Sequence, residues 1–159
     1  MAKPASSHLK AGATAASTAC MRGEYRRFVP KPDAIDGLLT DDPVAALLGI
    51  SRAESTEGLV AVRLTVRPEH LNFLGRVHGG IVFTLADTAL ALASNGFGRT
   101  ALAVDAHIVL SASAAAGEVL TAEAFDVAES RRLATYRIQV VRSDRRVLAS
   151  FDGTVFRLA

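Results

Sequence analysis

The chain has 159 residues, about the length of one ordinary domain, and half of them are hydrophobic while 21% are charged, so it can bury a core and is not a disordered polymer. A single cysteine, Cys20, excludes an internal disulfide and a multi-cysteine metal site and points to a reducing compartment, by default the cytoplasm. The formal charge of +2 divides into +5 for residues 1–32 and −3 for residues 33–159, where twelve arginines are interleaved with fifteen acids, which excludes the concentrated basic face that nucleic-acid binding requires.

Residues 1–24 are rich in Ala, Ser and Thr, carry no acid before Glu24 and show no periodic apolar pattern. They read as a flexible basic tail, in preference to an organelle transit peptide of similar composition. The tail ends at residue 32, and residues 33–159 form the working domain. Structure is expected to begin at Asp41-Asp42-Pro43-Val44-Ala45-Ala46-Leu47-Leu48-Gly49, where an acidic N-cap, a first-turn proline and a closing glycine bracket a short helix. From Gly58 to Arg67 apolar Val60, Val62, Leu64 and Val66 alternate with other residues, the pattern of a half-buried strand ended by Pro68.

Gly79 to Asn95 has almost no polar face and predicts a helix buried nearly all round. It falls short of the ~20 apolar residues of a membrane span and Asp87 interrupts it, so no membrane association is expected. Beyond it the period changes to two. Residues 101–110, 119–128, 133–142 and 147–158 read as four strands of an antiparallel meander. One strand, one central helix and four strands give an α+β fold in which a curved antiparallel sheet wraps around one long helix.

The stretch that carries chemistry is Asn72-Phe73-Leu74-Gly75-Arg76-Val77-His78-Gly79-Gly80, followed by Leu85-Ala86-Asp87. Two glycines at a helix start let a ligand approach unpaired backbone N–H groups, whose partial charge favours an oxyanion. Asp87 is a carboxylate in an apolar helix, which calls for a partner or a purpose. Eight residues at 1.5 Å each separate Gly79 from Asp87 by about 12 Å along the axis. General base and carbonyl-polarising donors must both come within ~3 Å of the reacting group. Two such helices packed antiparallel across a twofold axis would bring Asp87 of one chain to Gly79 of the other. A homodimer with two shared sites is therefore expected.

The run Asn72, Gly75, His78-Gly79-Gly80 and Leu85-Ala86-Asp87-Thr88 resembles the signature of hotdog-fold acyl-CoA thioesterases of the phenylacetic-acid-degradation (PaaI-type) group, and the likeness extends from about Asp42 through Phe156. The resemblance implies a hotdog fold and hydrolysis of an aryl-acetyl or medium acyl-CoA with no cofactor and no metal. It implies Asp87 as base or nucleophile, the Gly79 N–H as donor to the thioester carbonyl, and His78 and Asn72 as residues that position carbonyl or water. Gly80 belongs to the same motif, Thr88 matches a hydroxyl beside the acid, and a dimer of dimers (a homotetramer) is the usual assembly. The family's Arg-Pro pair after the following strand is replaced here by Leu110-Ser111-Ala112-Ser113-Ala114.

Other residues carry weaker signals. Arg131 and Arg132 open a strand after a turn and have the geometry to hold a CoA phosphate, with a solvated hairpin as the equal alternative. Asp105 and His107 share one strand face and read as a surface pair. A Gly-x-Ser-x-Gly elbow, a P-loop and a Gly-x-Gly-x-x-Gly run are all missing from the sequence. The alternative to an enzyme is a noncatalytic acyl-CoA-binding or regulatory domain, against which the carboxylate of Asp87 counts.

Overall fold

A computed structural model describes residue 30 and residues 32–54 and 60–158. The tail to residue 29, with Cys20, and the beginning of the first expected strand at Gly58 and Leu59 lie outside the described residues. Ordered structure starts earlier than Asp41. Helix α1 (Pro32–Thr40) precedes the expected short helix α2 (Pro43–Leu48). Ile35, Leu38 and Leu39 of α1 stand at i, i+3 and i+4, a helical spacing over a single short stretch, and Ile35 is the residue it buries. In α2, Asp42 Oδ1 accepts from the N–H groups of Val44 and Ala45 (2.9 and 3.0 Å), and Gly49 closes the helix in the left-handed region at φ 72°.

Strand β1 (Ser51–Ala53) was not expected and pairs with β2 (Val60–Thr65). The long helix α3 (Gly79–Asn95) has the predicted bounds, and β3 (Ala101–Leu110), β4 (Val119–Glu129), β5 (Leu133–Arg142) and β6 (Val147–Arg157) agree with the four predicted strands to within one residue. All six strands form one antiparallel sheet in the order β1-β2-β4-β5-β6-β3. The expected four-strand meander is corrected by this order. β4, β5 and β6 do follow one another, but β3 lies beyond β6 at the far edge. The eight residues between β3 and β4 cross the end of the sheet, where Val77 N donates to Ala114 O and Gly117 N donates to Val66 O (2.8 and 2.7 Å), and deliver β4 to β2.

The sheet lays Leu64, Leu120, Ala122, Ile138, Val140, Leu148 and Phe151 against Val82, Leu85, Ala86, Ala89 and Leu90 of α3, all essentially buried. A glycine is needed where Leu90 crosses β6: a β-carbon at Gly153 would stand 2.6 Å from Leu90 Cδ2 and 2.8 Å from Phe151 Cε1. Gly153→Ala is therefore expected to lower stability by about 1–3 kcal/mol through overpacking, read as a fall in the urea midpoint at unchanged m. An unchanged midpoint would show that Leu90 repacks freely.

The expectation that α3 is buried nearly all round also needs correction. Gly80, Thr84, Asp87 and Ala91, spaced four, three and four residues apart, form a stripe that the sheet does not cover. β3 is similarly open: it pairs only with β6, and Leu102, Val104, Val109 and Leu110 are each about half exposed or more.

Candidate active site

The approach to α3 is held by a short 3-10 turn, Pro68–His70, followed by a hairpin-like turn closed by a bridge between Leu71 and Val77. Arg67 N–H donates to His70 Nδ1 (3.1 Å), and the His70 carbonyl accepts from His78 N–H (2.9 Å), so a buried histidine fixes the entry to the helix. Burial, then the neighbouring Arg67 guanidinium, lowers the pKa of His70 and keeps the ring neutral. In the turn, Asn72 Oδ1 accepts from Leu74 N–H and Arg76 N–H (2.9 and 3.2 Å), and Gly75 takes the left-handed conformation at φ 67°. Asn72 therefore builds the loop with its oxygen, and its amide nitrogen is left for another partner.

His78 is the N-cap of α3. Its Nδ1 accepts from Gly80 N–H (2.9 Å), which assigns the ring proton to Nε2. Gly80 N–H is thereby engaged inside the chain. Gly79 N–H has no hydrogen bond among the described residues, and Gly79 is where a ligand would find a free donor at the positive end of the helix. The missing side chain matters: a β-carbon there would stand 2.9 Å from Leu110 Cδ1 of β3.

Two turns further along, Asp87 is half-buried and has neither a hydrogen bond nor an ion pair among the described residues. Burial raises its carboxyl above the ordinary carboxylate range, and the negative charge of Asp42 pushes it the same way. Asp42 is legible in sequence as the cap of α2, but its effect on Asp87 depends on tertiary packing. Thr88 is buried and donates to the Thr84 carbonyl (2.8 Å), one turn back in the same helix. Phe83 closes the neighbouring side with an edge-on contact to Phe151, ring centroids 5.3 Å apart.

His78, Gly79 and Gly80 stand at the start of α3, Asn72 lies in the turn that precedes it, and Asp87 is about 12 Å further along the axis. Arg131 and Arg132 do not join them. Arg132 O accepts from Arg157 N–H, and Leu158 N–H donates to Thr100 O, so the β4–β5 turn lies at the opposite end of the sandwich, near the C-terminus of α3. The Arg132 guanidinium stacks 5.9 Å above the Phe156 ring. Asp105 and His107 are exposed on β3, opposite Thr154 and Asp152, beside a register break next to Asp105. No described helix is long and apolar enough to cross a membrane.

Comparison with known proteins identifies the family and the fold. The family model for the thioesterase superfamily matches residues 74–149. A putative esterase of Archaeoglobus fulgidus is 41% identical over 77% of this chain and 80% of its own length. The acyl-coenzyme A thioesterase PaaI of Escherichia coli is 35% identical over 74% of this chain and 84% of its own length. The solved structure of the E. coli PaaI protein from the phenylacetic acid degradation operon superposes with a TM-score of 0.75 at 32% identity, over 80% of this chain and 92% of that one. Sheet order, central helix and sequence thus converge, and the chain belongs to the thioesterase superfamily, in the PaaI-type group of hotdog-fold hydrolases.

Proposed function

We propose that the protein hydrolyses aryl-acetyl or medium acyl-CoA thioesters at two sites shared between the subunits of a homodimer. The observation that carries this reading is the open stripe on α3, beside which Gly79 N–H at the helix start and Asp87 about 12 Å further along, destabilised as an anion by burial and by Asp42, have no partner among the described residues. The stripe of small side chains suits close approach of a second helix, and the free edge of β3 with its exposed Leu102, Val104, Val109 and Leu110 suits continuation of the sheet into a second copy. An antiparallel partner then supplies Asp87 to each Gly79.

In such a site the thioester oxygen accepts from Gly79 N–H, with the Nε2–H of His78 and the amide of Asn72 as the groups that position carbonyl or water. Asp87 takes a proton from water as the water oxygen bonds to the carbonyl carbon; collapse of the tetrahedral intermediate expels the CoA thiolate and leaves the carboxylic acid. Direct attack by the carboxylate through an anhydride uses the same groups. The remaining assignments of the reading are a dimer of dimers in the cytoplasm, with Gly80 and Thr88 shaping the substrate pocket and Arg131 and Arg132 available to CoA phosphates from their separate end of the sandwich.

Thiol release across phenylacetyl, hydroxyphenylacetyl, benzoyl and straight-chain acyl-CoAs, ranked by kcat/KM, tests the substrate class. Aryl-acetyl or medium acyl thioesters are expected to lead, and binding without release on every member would overturn the reading. The electrostatic arrangement gives a second expectation. Asp42→Asn keeps a good helix cap but removes the charge that adds to burial in raising the Asp87 carboxyl, so the acid limb of kcat/KM is expected to move to lower pH. A limb that stays in place would separate Asp87 from that titration.

A further inference from the structure

A cavity of about 450 Å³ opens at the C-terminal end of α3, the opposite end from Gly79, and Ser94, Arg99, Asp126, Glu129, Tyr136 and Arg157 are among its lining residues. Its volume lies within the range of small-molecule sites. Asp126 enters it from a break in the β4–β5 register between Asp126 and Ala128, the kind of bulge that re-aims a side chain. Most of the polar lining is already paired. Arg157 Nη2 donates to Glu129 Oε2 (3.0 Å) and Arg157 Nη1 donates to Ser130 O (3.3 Å). Ser94 Oγ donates to the Ala91 carbonyl.

Three groups are left over. Asp126 has no hydrogen bond or ion pair among the described residues, the exposed Arg99 has none either, and the hydroxyl of the buried Tyr136, which lines the cavity, donates to no acceptor among the described residues. Of the last four carbonyls of α3, Leu92 O accepts from Gly96 N–H and Asn95 O from Gly98 N–H (2.9 and 3.0 Å). We propose that this cavity is a second binding site, separate from the thioester site, for a small monocarboxylate held between the Arg99 guanidinium, the Tyr136 hydroxyl and the Asp126 carboxyl.

Burial, with the carboxylate of Glu129 adding to it and Arg157 opposing it, raises Asp126 to about 6. The charged or titratable groups that face it are Glu129 from its own strand, Tyr136 from β5, Arg157 from β6 and Arg99 from the loop before β3; α3 contributes only Ser94. A carboxylate ligand is repelled by ionised Asp126 and accepts a hydrogen bond from the protonated form, so it binds together with a proton and its affinity rises as pH falls through about 6.

Calorimetric titration of the whole protein with phenylacetate at pH 5.5 and 7.5, with uncharged phenylacetamide as control, tests this. If only the protonated form binds, phenylacetate is expected to bind roughly 25-fold tighter at pH 5.5 than at pH 7.5, following the protonated fraction of a group titrating near 6. At pH 5.5, Arg99→Gln and Tyr136→Phe are each expected to weaken binding at least about fivefold with hydrolysis unchanged, while Asp126→Asn, whose amide donates at any pH, should bind equally at both. Three results would overturn the proposal. They are no binding at either pH, binding that ignores pH, and binding that survives both Arg99→Gln and Tyr136→Phe while competing with the thioester substrate, which would place the acid at the start of α3.

Discussion

Asp87→Asn is expected to lower kcat by about 10²- to 10⁴-fold while leaving the melting temperature at neutral pH unchanged or slightly higher. The two halves of this expectation come from the same observation. Asp87 is held in a half-buried position with no donor among the described residues to satisfy it and with Asp42 as an unfavourable neighbour. Its carboxyl therefore titrates higher in the folded chain than in the unfolded one. The folded state holds that proton more tightly, so stability is greatest below the unfolded value, declines as pH rises through the folded value and stays lower above it. An amide of the same shape has no such titration and removes the penalty at pH 7.5. A residue kept for structure would behave in the opposite way, with activity and melting temperature falling together. Parallel measurement of thiol release and thermal unfolding at pH 7.5 separates the cases, and a variant that is destabilised in proportion to its lost turnover would falsify the role of Asp87 in the chemistry.

The residues that make this expectation possible were visible in the sequence, but their arrangement was only partly so. The bounds of α3 could be read because its apolar run begins at Gly79-Gly80 and ends at Asn95-Gly96, and the capping of α2 could be read from Asp42-Pro43 and Gly49. Strand order could not be read from period-two alternation, which is the same whichever strand lies alongside. One signal was available: residues 111–118 are eight long, whereas the β4–β5 and β5–β6 connections have three and four residues, within the two to five of ordinary hairpins. That length marks the place where β3 leaves the meander. Asn72 and His78 were legible as polar residues beside the glycines, whereas their local bonds to Leu74, Arg76 and Gly80 depend on the turn geometry. The exposed stripe on α3 was concealed for another reason. Gly80 and Ala91 count as apolar in any pattern, and an uncovered alanine looks the same in sequence as a buried one.

Mixing two inactive variants is expected to restore activity if each site takes Gly79 from one subunit and Asp87 from the other. In Asp87→Asn the carbonyl donor remains but the base is lost. In Gly79→Pro the N–H is lost outright; proline is compatible with the first helical position, although its ring must displace Leu110, which already stands 2.9 Å from a β-carbon there. Losing one donor to a developing oxyanion costs about 10²- to 10³-fold in kcat. When the two are unfolded, mixed in equal amounts and refolded, half of the dimers are mixed. In each mixed dimer one site joins an intact Gly79 to an intact Asp87, and the other joins both lesions. The mixture should therefore regain roughly one quarter of the native activity per site, although neither parent alone exceeds a few per cent. Within one chain the two groups are about 12 Å apart along a rigid helix, so a site confined to one subunit would gain nothing from mixing. Activity that remains at the mean of the two parents, with mixed dimers demonstrated by mass spectrometry, would rule out the shared site and require a different base within reach of Gly79.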